Sequence, residues 1–134
     1  MPVVTPLAAA LYGALLGLLA VALTARVIVL RVRTGVQAGD GGHASLAQAI
    51  RAHANFAEQA PLALLLLVIA ETVGTPAALV HALGSVLVLA RLASAWGLSH
   101  SLGPTMPRQV GAGATALVLA AAALLIAYRV VAGH

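Results

Sequence analysis

Arg51, Asn55 and Glu58 follow one another at spacings of four and three residues, and Leu62 comes four further on. On a helix these spacings put all four side chains on one stripe. A guanidinium, an amide and a carboxylate on one face can serve two ends. Glu58 can pair with an arginine from a neighbouring helix, such as Arg91 or Arg26, while Asn55 bridges helices; or the stripe can hold a ligand. Seven basic residues, all arginine, stand against three acids, which leaves at least four positive charges unmatched. An anionic ligand would satisfy them. The chain has no cysteine, so thiol chemistry would use a thiol brought by a substrate. His43, His81, His100 and His134 show no metal-ligand spacing, and no metal is expected.

The elements that position this stripe must lie in a bilayer. Of 134 residues, 62% are hydrophobic and only 7% charged, with a mean hydropathy of +1.06; a soluble domain is about 25% charged. Ten charges cannot solvate that much apolar surface. The composition excludes a disordered chain, a coiled coil, a nucleic-acid-binding domain and almost any soluble enzyme. The expected partners are therefore membrane lipid and lipophilic small molecules, with no nucleic acid. A charge inside a membrane helix costs about 2.5 to 3.5 kcal/mol on insertion scales, so the clustered Arg51, Asn55 and Glu58 call for a compensating role.

Four spans are predicted, at about 6–30, 46–72, 76–96 and 109–131, in one domain covering 1–134. The first lacks a basic flank ahead of its apolar run, unlike a secretory signal, and is kept as a span. The second is unusual, because its uncharged stretch between Glu58 and Glu71 is too short to cross. It must extend back to Ser45, which with Gln48 reads as a capping box. Pro61 then predicts a bend, and a rise of about 1.5 Å per residue puts Glu58 near the edge of the hydrocarbon layer if Glu71 marks the opposite surface. Gly13 and Gly17 form a small-xxx-small pattern that would let helices approach closely. Arg31, Arg33, Arg51 and Arg108 fall on the side of the first and third loops, against Arg129 on the other, which predicts cytoplasmic loops and outward termini. Tyr12, Trp96 and Tyr128 lie near span ends as interfacial aromatics do.

The run Arg51-Ala52-His53-Ala54-Asn55-Phe56-Ala57-Glu58-Gln59-Ala60-Pro61 resembles the Arg-Ala-x-x-Asn-x-x-Glu-x-x-Pro signature of the MAPEG family, the membrane-associated proteins in eicosanoid and glutathione metabolism. Gly39-Asp40-Gly41-Gly42, Arg91 and Trp96-Gly97 resemble its small bacterial branch. The resemblance implies an all-α four-transmembrane-helix bundle, assembled as a homotrimer in the bacterial inner membrane. It implies glutathione as co-substrate, bound between subunits near the cytoplasmic face. Glu58 would hold the glutathione ammonium, Asn55 its peptide or cysteinyl part, and Arg51 a carboxylate. Arg31 would either complete the anion site from a neighbouring subunit or act as a membrane anchor.

Arg108, the only arginine near the start of the fourth helix, takes the implied catalytic role of stabilising the thiolate; its other reading is a boundary arginine that snorkels. Arg91 is read as a structural partner of an acid or a carbonyl. The implied activity is a glutathione-dependent transferase or peroxidase acting on a lipophilic electrophile. The alternatives are a non-catalytic scaffold or small-ligand binder, or a small four-span exporter using Glu58. Ser94, Leu98 and Gln59 stand where eicosanoid-forming members carry aromatic residues, which argues against eicosanoid synthesis.

Overall fold

A computed structural model describes residues 5–133 as four long helices: α1 Leu7–Thr34, α2 Ala44–Thr72, α3 Ala77–His100 and α4 Met106–Ala132. Their 24 to 29 residues suffice to cross a bilayer, and each carries an 18-residue window apolar enough to do so. The chain is an integral membrane four-helix bundle. Helices α1 and α3 extend furthest past the expected spans, each by four residues at its C-terminal end, and α4 starts three residues early.

Short signals close each helix. Gly35 (φ 70°) ends α1 in the left-handed region, its amide donating to Arg31 O at 2.9 Å. In the loop that follows, Asp40 Oδ1 accepts the Gly42 amide at 2.9 Å and Asp40 O accepts that of His43 at 3.0 Å, turning the chain into α2. This corrects the expected capping box. His43, not Ser45, precedes α2, without a side-chain cap. Gln48 instead donates to His100 O at 3.4 Å, tying α2 to the end of α3. Pro76 leads into α3, and Pro107 sits in the first turn of α4, where its missing amide hydrogen removes no helical bond. Helix α2 continues through Pro61.

Helices α2 and α3 form the middle of the bundle, touching each other and both outer helices, whereas α1 and α4 do not meet. The core runs along this middle pair: Ala52, Phe56, Ala63 and Leu67 of α2 against Val80, Leu87 and Leu98 of α3, closed by Leu16 and Leu23 of α1 and Val118 of α4. Side chains so small bring the helices together closely. At Gly111 a Cβ would lie 2.2 Å from Ser94 Oγ and 2.5 Å from Ala90 O, so only glycine fits between α3 and α4. Gly13 and Gly17 do not make such a contact. A Cβ at Gly13 would meet Leu64 at an ordinary 3.5 Å, and one at Gly17 would meet nothing within 4 Å.

Most of the outer surface is bare hydrocarbon. Leu11, Leu18, Val21 and Ile28 of α1 and Leu117, Leu124 and Val131 of α4 are exposed, as suits side chains that face lipid. Trp96 and Tyr128 are exposed near helix ends. Tyr12 departs from its interfacial reading. It is buried, and its hydroxyl donates to His81 O at 2.9 Å and lies 3.0 Å from both His81 Nδ1 and Ser85 Oγ, pinning α1 to α3.

Candidate functional site

The inward face of α2 is set by Ala49, Ala52, Phe56, Ala60, Ala63 and Leu67, all buried at helical spacing. Arg51, Glu58, Leu62 and Leu65 fall on the opposite side and are half-buried or exposed. The most polar stripe of the chain therefore points out of its own bundle. Arg51 and Glu58 meet across two helical turns, with Nη1 donating to Oε1 at 3.1 Å and Nη2 to Oε2 at 3.3 Å. The fork is bidentate, but the side chains keep 42% and 53% of their surface exposed. Glu58 thus pairs within its own helix and not with Arg91 or Arg26.

Asn55 sits on the shoulder of the same stripe and reaches the other way. Its Oδ1 accepts a hydrogen bond from Arg91 Nη1 at 3.1 Å. Arg91, on α3, is only 1% exposed. Its Nη2 donates to Ser94 Oγ and to Gly111 O, each at 3.1 Å, and its Nε has no partner. Asn55 does bridge helices, and Arg91 does meet a carbonyl. This guanidinium, however, has three neutral acceptors and, among the described residues, no acid within ion-pairing distance. The close approach at Gly111 is what exposes a helical carbonyl to it. Thr115 Oγ1 donates to that same carbonyl at 2.8 Å.

The remaining predicted residues lie at the loop end but do not touch the stripe. Arg108, in the first turn of α4, uses Nη1 to reach Leu102 O at 3.0 Å and Gly103 O at 3.3 Å. Gly97 makes room for it, because a Cβ there would lie 2.9 Å from the Arg108 amide nitrogen. Arg31 donates through Nη1 to Val36 O at 3.3 Å and Gly39 O at 3.0 Å, holding the first loop against the end of α1. Neutral carbonyls leave both charges uncompensated. Ser94 and Leu98 are buried, Ser94 as a partner of Arg91.

Residues 9–128 match the model of the MAPEG family. The chain belongs to the MAPEG family. It is also 39% identical over 93 residues to inner membrane protein YecN of Escherichia coli strain K12, a stretch covering 69% of this chain and 71% of that protein. The YecN of Escherichia coli O6:H1 matches to the same extent. Within this MAPEG chain the signature residues Arg51, Asn55 and Glu58 occupy one outward stripe of α2, with Arg91 behind them.

Two features escaped the sequence reading. Arg26 of α1 donates to the Ser99 hydroxyl and, at 3.4 Å, to Ser99 O, and it lines an open cleft of about 410 Å³ with Ala22, Leu92, Trp96 and His100. Its place in an otherwise apolar span was the available signal. A smaller cleft of about 220 Å³ opens between α1 and α2, walled by Gly13, Gly17, Phe56, Pro61 and Leu64. The glycines that seemed to promise helix contact instead leave this apolar space, one turn along α2 from Glu58.

Proposed function

We propose that this MAPEG protein binds glutathione at the outward stripe of α2 and uses its thiolate against a lipophilic electrophile or a lipid hydroperoxide. The observation that carries this reading is the exposed, bidentate Arg51–Glu58 pair. Both partners face out of the bundle and keep further donor and acceptor positions free, so a ligand carrying the same two charges can take the place of either one. A ligand with a carboxylate and an ammonium can exchange partners with it, giving its carboxylate to Arg51 and its ammonium to Glu58 with no net loss of charge pairing. Asn55, one turn away, meets the peptide between them.

Charge arithmetic supports the same ligand. Arg51, Arg91 and Arg108 against Glu58 leave two positive charges in excess. Glutathione with its thiol ionised carries two carboxylates and a thiolate against one ammonium, and matches that excess. Arg108 offers the cation for the thiolate, since only its Nη1 is engaged and only by carbonyls. The sulfur bonds to the electrophilic carbon as a leaving group departs with its electron pair or a conjugated double bond takes up the pair and a proton, and this second substrate enters from the bilayer through the apolar cleft walled by Gly13, Gly17, Phe56 and Pro61.

A polar pair facing out of the bundle at membrane depth needs a cover, and a second copy of the chain supplies one. The reading is therefore a homotrimer with a site between subunits, in a bacterial inner membrane like that named for the YecN relatives, with the first and third loops cytoplasmic. A non-catalytic binder would use the same stripe without Arg108. Calorimetry of glutathione binding to protein purified in detergent, with thiolate absorbance followed in parallel, separates the two. Transferase-like function requires binding that is lost in Glu58→Ala and a thiolate signal lost in Arg108→Ala. Binding with no thiolate signal in the parent protein leaves the non-catalytic binder, and no binding at millimolar glutathione rejects the glutathione reading.

A further inference from the structure

We infer that Arg91 locks the side-chain amide of Asn55 in one orientation, so that Asn55 meets its ligand only as a hydrogen-bond donor. This assignment builds on the proposed glutathione site and adds a rule for which ligand atoms it accepts. An amide has one face that accepts and one that donates, and the two are exchanged by a half-turn about the last bond. A guanidinium has donors and no acceptor. Arg91 Nη1 lies 3.1 Å from the Asn55 amide, so only Oδ1 can face it. The half-turn would put an NH2 group against a buried cation.

The lock is firm because Arg91 has nowhere else to go. It is 1% exposed, and its other hydrogen bonds run to Ser94 of its own helix and to the carbonyl of Gly111 on α4. Turning away from Asn55 would strip a buried charge of one of its three acceptors, and the described residues provide no carboxylate in exchange. The lock thus spans α2, α3 and α4. Asn55 Nδ2 has no hydrogen-bond partner among the described residues and is left to the stripe that carries Arg51 and Glu58. Donation of electron density from Oδ1 toward the guanidinium polarises the amide and strengthens Nδ2 as a donor. The atom it selects is an acceptor, either a peptide carbonyl oxygen or an anionic oxygen or sulfur. A ligand N–H facing Nδ2 is rejected, because two donors then meet.

Asn55→Asp tests the direction of the lock. It keeps an oxygen for Arg91 and turns the contact into an ion pair, but it removes both donors. The expected result is a folded protein with an unchanged or raised thermal midpoint in detergent, whose affinity for glutathione falls at least about tenfold, the size of one hydrogen bond to a charged or polarised group. Equal or tighter glutathione binding by Asn55→Asp overturns the lock, since a carbonyl facing the ligand would only be replaced by a stronger acceptor.

Asn55 is the only asparagine in the chain. Labelling with 15N-asparagine therefore yields one side-chain amide signal, whose protons move downfield when glutathione is added if they donate to it. An unmoved signal with glutathione bound overturns the proposal. A double-mutant cycle on thermal unfolding, Asn55→Ala with Arg91→Lys, needs no ligand. Non-additivity supports the lock and additivity rejects it. If the parent protein binds no glutathione while the cycle is non-additive, the function proposed above fails and the lock stands.

Discussion

Helix α2 holds two of the chain's three acids, Glu58 and Glu71, in opposite circumstances. Glu71, in the last turn, is 7% exposed and accepts the backbone amides of Ala8 and Ala9 at 3.0 and 2.7 Å. These are first-turn amides of α1, which have no partner within their own helix, and the carboxylate also faces the positive end of the helix dipole. Glu58 meets only the tip of a flexible arginine two turns away on its own helix, in contact with its surroundings over half its side chain. One carboxylate is fully used by the fold and the other is left available. In a membrane protein so poor in charge, that difference separates an acid committed to the fold from one open to a ligand better than residue type or depth does.

The same contrast divides the two ends of the bundle. At the Glu71 end the charged and aromatic groups are matched, Tyr12 with His81 and Ser85 and Glu71 with α1, and only the neutral Thr75 hydroxyl is buried there without a partner among the described residues. At the loop end Arg31, Arg91 and Arg108 are held by neutral oxygens, and their charge remains to be answered. Glu71 carries the largest expected effect. Glu71→Ala leaves two amides buried without an acceptor and is expected to cost about 3 kcal/mol, read as a fall in the unfolding midpoint in detergent. Glutathione binding by the folded fraction should persist. A loss below about 1 kcal/mol would mean that α1 finds another cap.

A second variant probes the support behind the site. Gly111→Ala puts a methyl group 2.5 Å from Ala90 O, which is backbone and cannot swing aside. Forcing α3 and α4 apart costs about 1 to 3 kcal/mol, and it disturbs the carbonyl that holds Arg91. Gly113→Ala, two residues on, meets nothing within 4 Å and is expected to raise stability by up to about 1 kcal/mol, the helix-propensity gain. Equal midpoints for the two variants would contradict the close approach at Gly111. Next in size is Tyr12→Phe. It keeps the ring against Gly84 and removes a hydroxyl with three partners, for an expected loss of about 1 kcal/mol in the same unfolding measurement.

What the sequence disclosed followed from how local each feature is. The Arg51-Asn55-Glu58 stripe depends only on helical spacing, and its exposure on one face of α2 follows from the buried positions between. The helices themselves are legible in long apolar runs bounded by Gly35, Gly74, Pro76 and Pro107. The cap that Glu71 gives α1 is not, because its partners lie more than 60 residues away and nothing near Ala8 announces an acid. Tyr12 looked interfacial because its position near a span end is local information, while its contact with His81 is not. Gly13 and Gly17 show the limit from the other side. A spacing that permits close packing does not cause it, and the contact formed instead at Gly111, where Ser94 and Ala90 lie opposite. At Ser45 the signal was local but outcompeted, since the turn at Asp40 starts the helix two residues sooner.

The smallest expected effect on stability is the most informative. Glu58→Gln keeps an oxygen that can accept from Arg51 and strands no group inside the bundle, because both side chains face out of it. The unfolding midpoint should therefore hardly move, in contrast to Glu71→Ala on the same helix. Glutathione affinity should nevertheless fall about tenfold or more, because the amide cannot neutralise the ligand's ammonium. A variant that loses stability as Glu71→Ala does would show that the Arg51–Glu58 pair is part of the structural frame, and the division between the two acids would fail. A variant that keeps both stability and affinity would move the ligand away from this stripe. Only the loss of affinity without the loss of stability fits a carboxylate that the fold leaves free.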